Sequence, residues 1–252
     1  YPTPDPKTFT SFEDIMEAYL QQVEFIVGKM GKIDDVGQVM YARYANRPYA
    51  SVLIDDCIEK GKDCTTWRYT TYSEVIIAGI TDVADSQTAI KKFVFDDKVI
   101  TLEELLRALR NNFEGQEEFR QRLINEAPKF GNDDDYADLI AREVHLRTRQ
   151  TARKNISYWG VPWDLDGSIM GAHYPWGKTT GALPSGKKYK EPFADGSLSP
   201  YAGQDKRGPT AVIKSMGKVP ANFPELTNQK FMPQFLEGQY KEIFAQYLRT
   251  WA

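Results

Sequence analysis

The sequence predicts an α/β fold in which a buried sheet or barrel is wrapped in helices. Segments of helical periodicity fill the first half of the chain. Short runs that are apolar on both faces, as buried parallel strands are, interrupt and follow them. No repeat, low-complexity segment or composition shift marks a linker, so the 252 residues read as one body.

The first helix is expected over residues 10–30, with Thr10 and Glu13 at capping-box spacing. Ile15, Leu20, Val23 and Val27 mark its apolar face, and Gly31 stands where a C-terminal cap belongs. "IDDVGQVMYARYANRP" gives a second helix halted before Pro48, and "YASVLIDDCIEKG" a third ending at Gly61. "EVIIAGI", residues 74–80, is short and β-branched and suits a buried strand. Asp82 then opens a helix through about Phe95. "TLEELLRALRNNFEG" has the clearest helical signature: Thr101 and Glu104 form a capping box, and Leu102, Leu105, Leu106, Leu109 and Phe113 share one face. Helices over 116–126 and 134–154 follow, the second with acidic residues at its start, where the helix dipole favours them.

From residue 158 aromatics, Gly and Pro dominate. Ser168 to His173 and Thr210 to Lys214 are the expected strands, with "GALPSGK" as a turn between them. A last amphipathic helix spans Leu236 to Trp251 with no cap after it and reads as truncated. The chain therefore divides into a mainly helical part, 1–157, holding one strand near 74–81, and a strand and long-loop part, 158–252.

Acidic and basic residues nearly balance, 35 against 32, and no basic block or basic amphipathic stretch points to nucleic acid or a membrane surface. No apolar run is long enough to span a bilayer, and no signal peptide is visible. The chain does not begin with Met, as expected of a processed or excised piece. Two cysteines, Cys57 and Cys64, are too few for a disulfide framework, and a reducing cytoplasm is expected. With only His145 and His173 as imidazoles, no bound metal is expected.

Several motifs bear on chemistry. "NDDDYAD" lacks the spacing of a calcium loop and suits helix capping by Asp133 or Asp134. Trp159, Trp163 and Trp176 allow a carbohydrate platform, with loop packing the preferred reading. No nucleotide-binding glycine pattern occurs. Cys57 and Cys64 have no catalytic partner by spacing and read as structural. His173 reads first as a packed core histidine and second as a substrate contact.

"DDCIEKGKDCT", "DVADSQTAIKKFVFDDKVITLEELLRALRNNFEG", "APKFGNDDDYAD", "GALPSGKKYKEPFADGSLSP", "GQDKRGPTAVIKS" and "NQKFMPQFLEG" occur in this order between Ala50 and Gly238. Together they resemble the glycyl radical enzymes, the pyruvate formate-lyase-like family. That resemblance implies part of a ten-stranded β/α barrel, made of two five-stranded parallel half-barrels wrapped in helices. It further implies a glycyl radical, installed by an S-adenosylmethionine/[4Fe-4S] activating enzyme, that generates a thiyl radical on a cysteine at the barrel centre. Neither the radical glycine loop nor the thiyl cysteine loop matches any stretch here, and Cys57 aligns with a cysteine that is not the thiyl site. No catalytic residue is thus expected in this segment, which alone is expected to be inactive and prone to aggregate.

By the same resemblance three stretches wall the substrate pocket: Ile77 to Thr81, Ser168 to His173 and Thr210 to Ile213. The implied substrate-binding residues are Ile77, Ile80, Ile169, Met170, His173, Thr210 and Val212, each also readable as core. Their apolar character suggests C–C bond chemistry on a small apolar substrate. The run from "YASVLIDDCIEKGKDC" to "GALPSGK" is similar to the fumarate-adding alkyl- and benzylsuccinate synthases of hydrocarbon degradation. Ser185-Gly186-Lys187 departs from the Asp-Gly-Arg of many relatives, so an arginine-specific contact is altered there. The alternatives are a glycyl radical arylacetate decarboxylase or diol dehydratase, the latter requiring polar rather than apolar groups at Met170, His173 and Val212, and a non-catalytic paralogue or interaction subunit. The resemblance also implies an anaerobic, cytoplasmic setting and a homo-oligomer or small accessory subunits.

Overall fold

A computed structural model describes residues 3–67, 73–220 and 225–251. After a 3-10 turn over Pro6–Thr8 comes α1, Phe12–Tyr44, which joins the first two expected helices into one. Ser11, one residue beyond the expected cap, closes the capping box with Asp14. Gly31 is no C-terminal cap. It lies inside α1 where a Cβ would stand 2.9 Å from Trp163 Nε1, so the glycine admits the indole against the helix. The third expected helix shrinks to α2, Pro48–Ser51, followed by turns through Gly61, which has φ +58°, and then by α3, Cys64–Trp67.

The central layer is built from α4, Ile80–Ile90, which continues as a π-helical turn over Lys91–Asp96, and from α7, Asp135–Ala152. Between them come α5, Leu102–Arg110, with the expected Thr101–Glu104 capping box, and α6, Glu117–Asn125. Leu105 and Phe113 of the expected α5 face are fully buried with Phe93 and Leu123. A second cluster joins Met16 and Leu20 of α1 to Ile80, Phe130, Val144 and Leu198. The later elements are α8, His173–Thr179, α9, Pro209–Lys218, and α10, Tyr240–Arg249, the last preceded by a 3-10 turn over Pro233–Leu236.

The expected α/β class and ten-stranded barrel are overturned. The described residues are mostly helical and form a two-stranded sheet. Strand β1, Glu74–Ile76, runs parallel to β2, Asp164–Asp166, in the register Glu74–Asp164, Val75–Leu165, Ile76–Asp166. A single parallel bridge, Gly167 to Glu225, extends the sheet by one residue.

The strand expected in "EVIIAGI" is kept only over Glu74–Ile76, and the other two are lost, each for a local reason. "EVIIAGI" leaves the sheet after Ile76, because Gly79 takes a left-handed conformation, φ +77°, and Ile80 starts α4. Ser168 to His173 is a turn and a helix start, with Gly171 at φ +74°. The strand lies just before it in "DLD", where only Leu165 is buried. Thr210 to Lys214 is helical: Pro209 at the first helical position presets the backbone, and Ala211, Val212 and Ser215 form one buried face at helical spacing. A four-residue apolar run does not distinguish strand from helix.

Candidate functional site

Helices cover one face of the parallel pair. Val75 and Leu165 point into a cluster with Val27, Ala152 and Trp163. Side chains alternate along a strand, so Glu74, Ile76, Asp164 and Asp166 belong to the opposite face. Ligands of parallel sheets gather beyond the carboxyl ends of the strands, which here are the turns after Ile76 and Asp166.

At that end Asp166 Oδ1 accepts the Ser168 N–H at 2.8 Å and is also bonded by the Ser168 hydroxyl, and the Asp166 carbonyl accepts the Ile77 N–H at 2.9 Å. Asp164 is held by Arg149 of α7, whose Nε and Nη2 each donate at 2.8 Å. Burial alone raises the Asp164 pKa, but the Arg149 bonds and the Leu165 N–H outweigh it and leave the carboxyl below its ordinary value.

The loop 193–199 closes the mouth. Its backbone is fixed at several points: Phe193 N–H donates to the His173 carbonyl at 3.1 Å, Ala194 N–H to Asp82 Oδ2 at 2.9 Å, and the Thr81 hydroxyl to the Ser197 carbonyl at 3.2 Å. Ser197 and Ser199 hydroxyls accept the N–H groups of Leu226 and Asn228. Gly196 sits at φ +106° with its missing Cβ 2.4 Å from the Leu226 carbonyl oxygen, so only glycine fits. This frame holds Asp195 Oδ1 3.4 Å from His173 Nδ1 and Asp195 Oδ2 3.5 Å from Lys230 Nζ, ion-pair separations that leave both groups able to bond elsewhere.

The buried carboxyls behind the loop are shifted. Burial pushes Asp82 up to about 7 and Asp85 up to about 6. Asp85 accepts the Phe130 N–H at 2.9 Å. Lys129 and Lys187, lowered by burial, turn their ammonium groups onto backbone carbonyls.

Of the residues implied by resemblance, Ile80 and Ile169 are buried and Ile77 is half-buried against two core clusters. Met170 is 91% exposed at the strand mouth, and His173 is the partner of Asp195. Thr210 and the buried Val212 lie instead on α9, where with Asp195 they line a cavity of about 820 Å³ between the 199–212 segment and the C-terminal arm. The structure thus brings Met170 and His173 to the strand mouth and Thr210 and Val212 to this cavity, with Asp195 reaching both. Asp166 and Asp195 were missed by sequence reasoning. Their signals were "DLDGS", alternating like a strand before a turn, and "FADGS".

The other candidates fall to packing. Cys57 and Cys64 are free and buried, and burial raises the Cys57 thiol, so it is no ready nucleophile. Asp134 caps α7 by accepting the Tyr136 N–H, while Asp133 and Asp138 pair with Lys218. Among the described residues no group of three His, Cys, Asp or Glu side chains is placed to hold a metal ion, and no helix is long and apolar enough to cross a membrane. Trp163 is fully buried, which removes the three-tryptophan platform.

Comparison with known proteins fits this geometry. The model of the family described as pyruvate formate lyase-like matches residues 1–177. The chain belongs to that family, within the glycyl radical enzyme superfamily. It is 37% identical over 242 residues to trans-4-hydroxy-L-proline dehydratase of Clostridioides difficile, covering 94% of this chain and 30% of that protein. It is 34% identical to isethionate sulfite-lyase of Bilophila wadsworthia, covering 99% of this chain and 31% of that one. The glycerol-bound B12-independent glycerol dehydratase of Clostridium butyricum superposes with a TM-score of 0.89 at 34% identity, over 99% of this chain and 32% of that structure. The chain therefore spans about a third of the length of these relatives. They are named for dehydration and sulfite release, not for addition to fumarate, which turns the reading away from the succinate synthases.

Proposed function

We propose that this segment forms part of the substrate chamber of a glycyl radical eliminating enzyme of the dehydratase type, acting on a small hydroxylated substrate. One observation carries the reading. Three of the apolar residues expected to line the pocket, Ile77, Ile80 and Ile169, are half-buried or buried in packing, while the groups left at the strand mouth include Asp166, Ser168, His173 and Asp195. A hydroxylated substrate needs such acceptors and donors, and a hydrocarbon leaves them unpaired at a cost. Met170 and Ile76 supply the apolar part of the same face.

In this family the hydrogen abstraction is supplied by a radical held on residues outside this segment, installed by an S-adenosylmethionine-dependent partner. The segment's own residues position and protonate. Asp166, braced by Ser168, accepts a substrate hydroxyl. Loss of a hydroxyl as water needs a proton delivered to its oxygen, and His173, with its Nδ1 3.4 Å from Asp195 Oδ1, is the imidazole at this mouth for that role. The clusters behind the loop keep bulk water from the rear of the chamber.

The test uses a full-length protein containing this segment, activated without oxygen and offered glycerol, trans-4-hydroxy-L-proline, isethionate, and a hydrocarbon with fumarate. Elimination from one of the first three is the expected result. Turnover of the hydrocarbon–fumarate pair alone would return the reading to the succinate synthases.

A further inference from the structure

Helix α1 carries two apolar faces, and the described structure covers one of them. Met16, Leu20, Val27 and Gly31 are buried against α7 and Trp163. About 110° around the helix at 3.6 residues per turn runs a second line, Ile26, Met30, Ile33, Gly37, Met40 and Tyr44, at alternating spacings of four and three residues. Apart from the half-buried Gly37 these residues are exposed, Ile33 by 74%, and a Cβ at Gly37 would meet nothing within 4 Å.

A helix apolar around most of its circumference is an interior helix, and soluble surfaces rarely leave so long a contiguous apolar strip open. The alternation of fours and threes is the seam that packs against another helix. What covers it follows from length. The chain superposes on the glycerol dehydratase over 99% of itself but only 32% of that protein. Ile76 is likewise exposed on the side of the sheet away from its apolar cluster. The seam lacks a layer, and two thirds of a relative's chain is available to supply it. We infer that the 26–44 seam of α1 is an intrachain docking surface that receives a helix from the remainder of the pyruvate formate lyase-like polypeptide, not a second copy.

Hydroxyl-radical footprinting of the full-length wild-type protein, unactivated, tests this without any substitution, because Met30, Met40 and Tyr44 are themselves reactive reporters. They are expected to be oxidised at least about tenfold more slowly than in the same protein unfolded in urea, and equally slowly at concentrations where light scattering shows a monomer. Rapid oxidation in the folded full-length protein overturns the inference. Protection that disappears on dilution to monomer overturns it too, and assigns the seam to a second copy. Activity plays no part in the readout, so the outcome is independent of the proposed reaction.

Discussion

The polar network that ties α7 to α9 and the aromatic cluster of the C-terminal arm both join elements distant in sequence, but they do it in different surroundings. In the first, Asp138 accepts from the Ser215 hydroxyl at 2.9 Å and from Lys218 at 2.8 Å, and Ser215 also receives the Asp133 N–H; Asp138 and Ser215 are buried, and Lys218 and Asp133 lie at the edge. In the second, Phe231 lies 4.9 Å from both Phe244 and Tyr247, yet no residue of α10 is buried. Ring contacts at a wet surface replace water imperfectly, whereas a satisfied buried network penalises every arrangement that breaks it. The body around α4 and α7 is therefore expected to set the global stability, and the arm to open beneath it.

Four substitutions sharpen or break that contrast. Trp163→Ala, which empties the space between Gly31 and the sheet, is expected to cost about 3–5 kcal/mol in denaturant unfolding. Gly196→Ala forces a side chain against the Leu226 carbonyl and is expected to cost about 1–3 kcal/mol, with the loop around Asp195 exchanging its amide hydrogens faster. Thr101→Ala removes one half of a capping box for about 1 kcal/mol. Phe244→Ala is expected to move the global transition by less than about 1 kcal/mol while exposing residues 233–251 to protease. If Phe244→Ala costs as much as Trp163→Ala, the arm is part of the cooperative core and the contrast fails.

Acid–base behaviour separates the same regions. Folding lifts Asp82 from 3.8 to about 7 and Asp85 from 3.8 to about 6, chiefly by burial. The folded state then holds protons that the unfolded chain has released. The stabilisation is complete below pH 3.8 and is lost as pH rises toward 7. Asp82→Asn keeps an acceptor for the Ala194 N–H and cannot ionise. It is expected to match the wild type near pH 4 and to exceed it by on the order of 4 kcal/mol at pH 8, since each tenfold change in proton affinity between the folded and unfolded chain is worth about 1.4 kcal/mol. A variant less stable than the wild type at pH 8 would show that the ionised carboxylate is what the loop requires.

Much of the helical body was legible because its signals are local. Thr101 with Glu104, the α5 apolar face and the acidic start of α7 each act within one or two turns. The start of β1 was legible, but β2 and the pairing were not, for the same reason in reverse. Three-residue strands bury one side chain each, Val75 and Leu165, and their partners stand 90 residues apart. The end of "EVIIAGI" and "TAVI" are apolar because helix starts bury them, a cause that periodicity in a short window cannot separate from strand burial. The candidate site divided likewise. His173 is named as a candidate by its neighbourhood in the sequence, while Asp166 and Asp195 become candidates only through a strand end and a glycine-anchored loop.

The most direct test of the account is Asp195→Asn in the full-length, anaerobically activated protein, with radical content read by electron paramagnetic resonance and turnover measured on whichever substrate the wild type eliminates. The carboxylate that pairs with His173 is then gone while the loop anchors at Asp82 and Gly196 stay. Radical content equal to wild type with turnover lowered about a hundredfold or more is the predicted result. Undiminished turnover at equal radical content would contradict the placement of the substrate at this mouth.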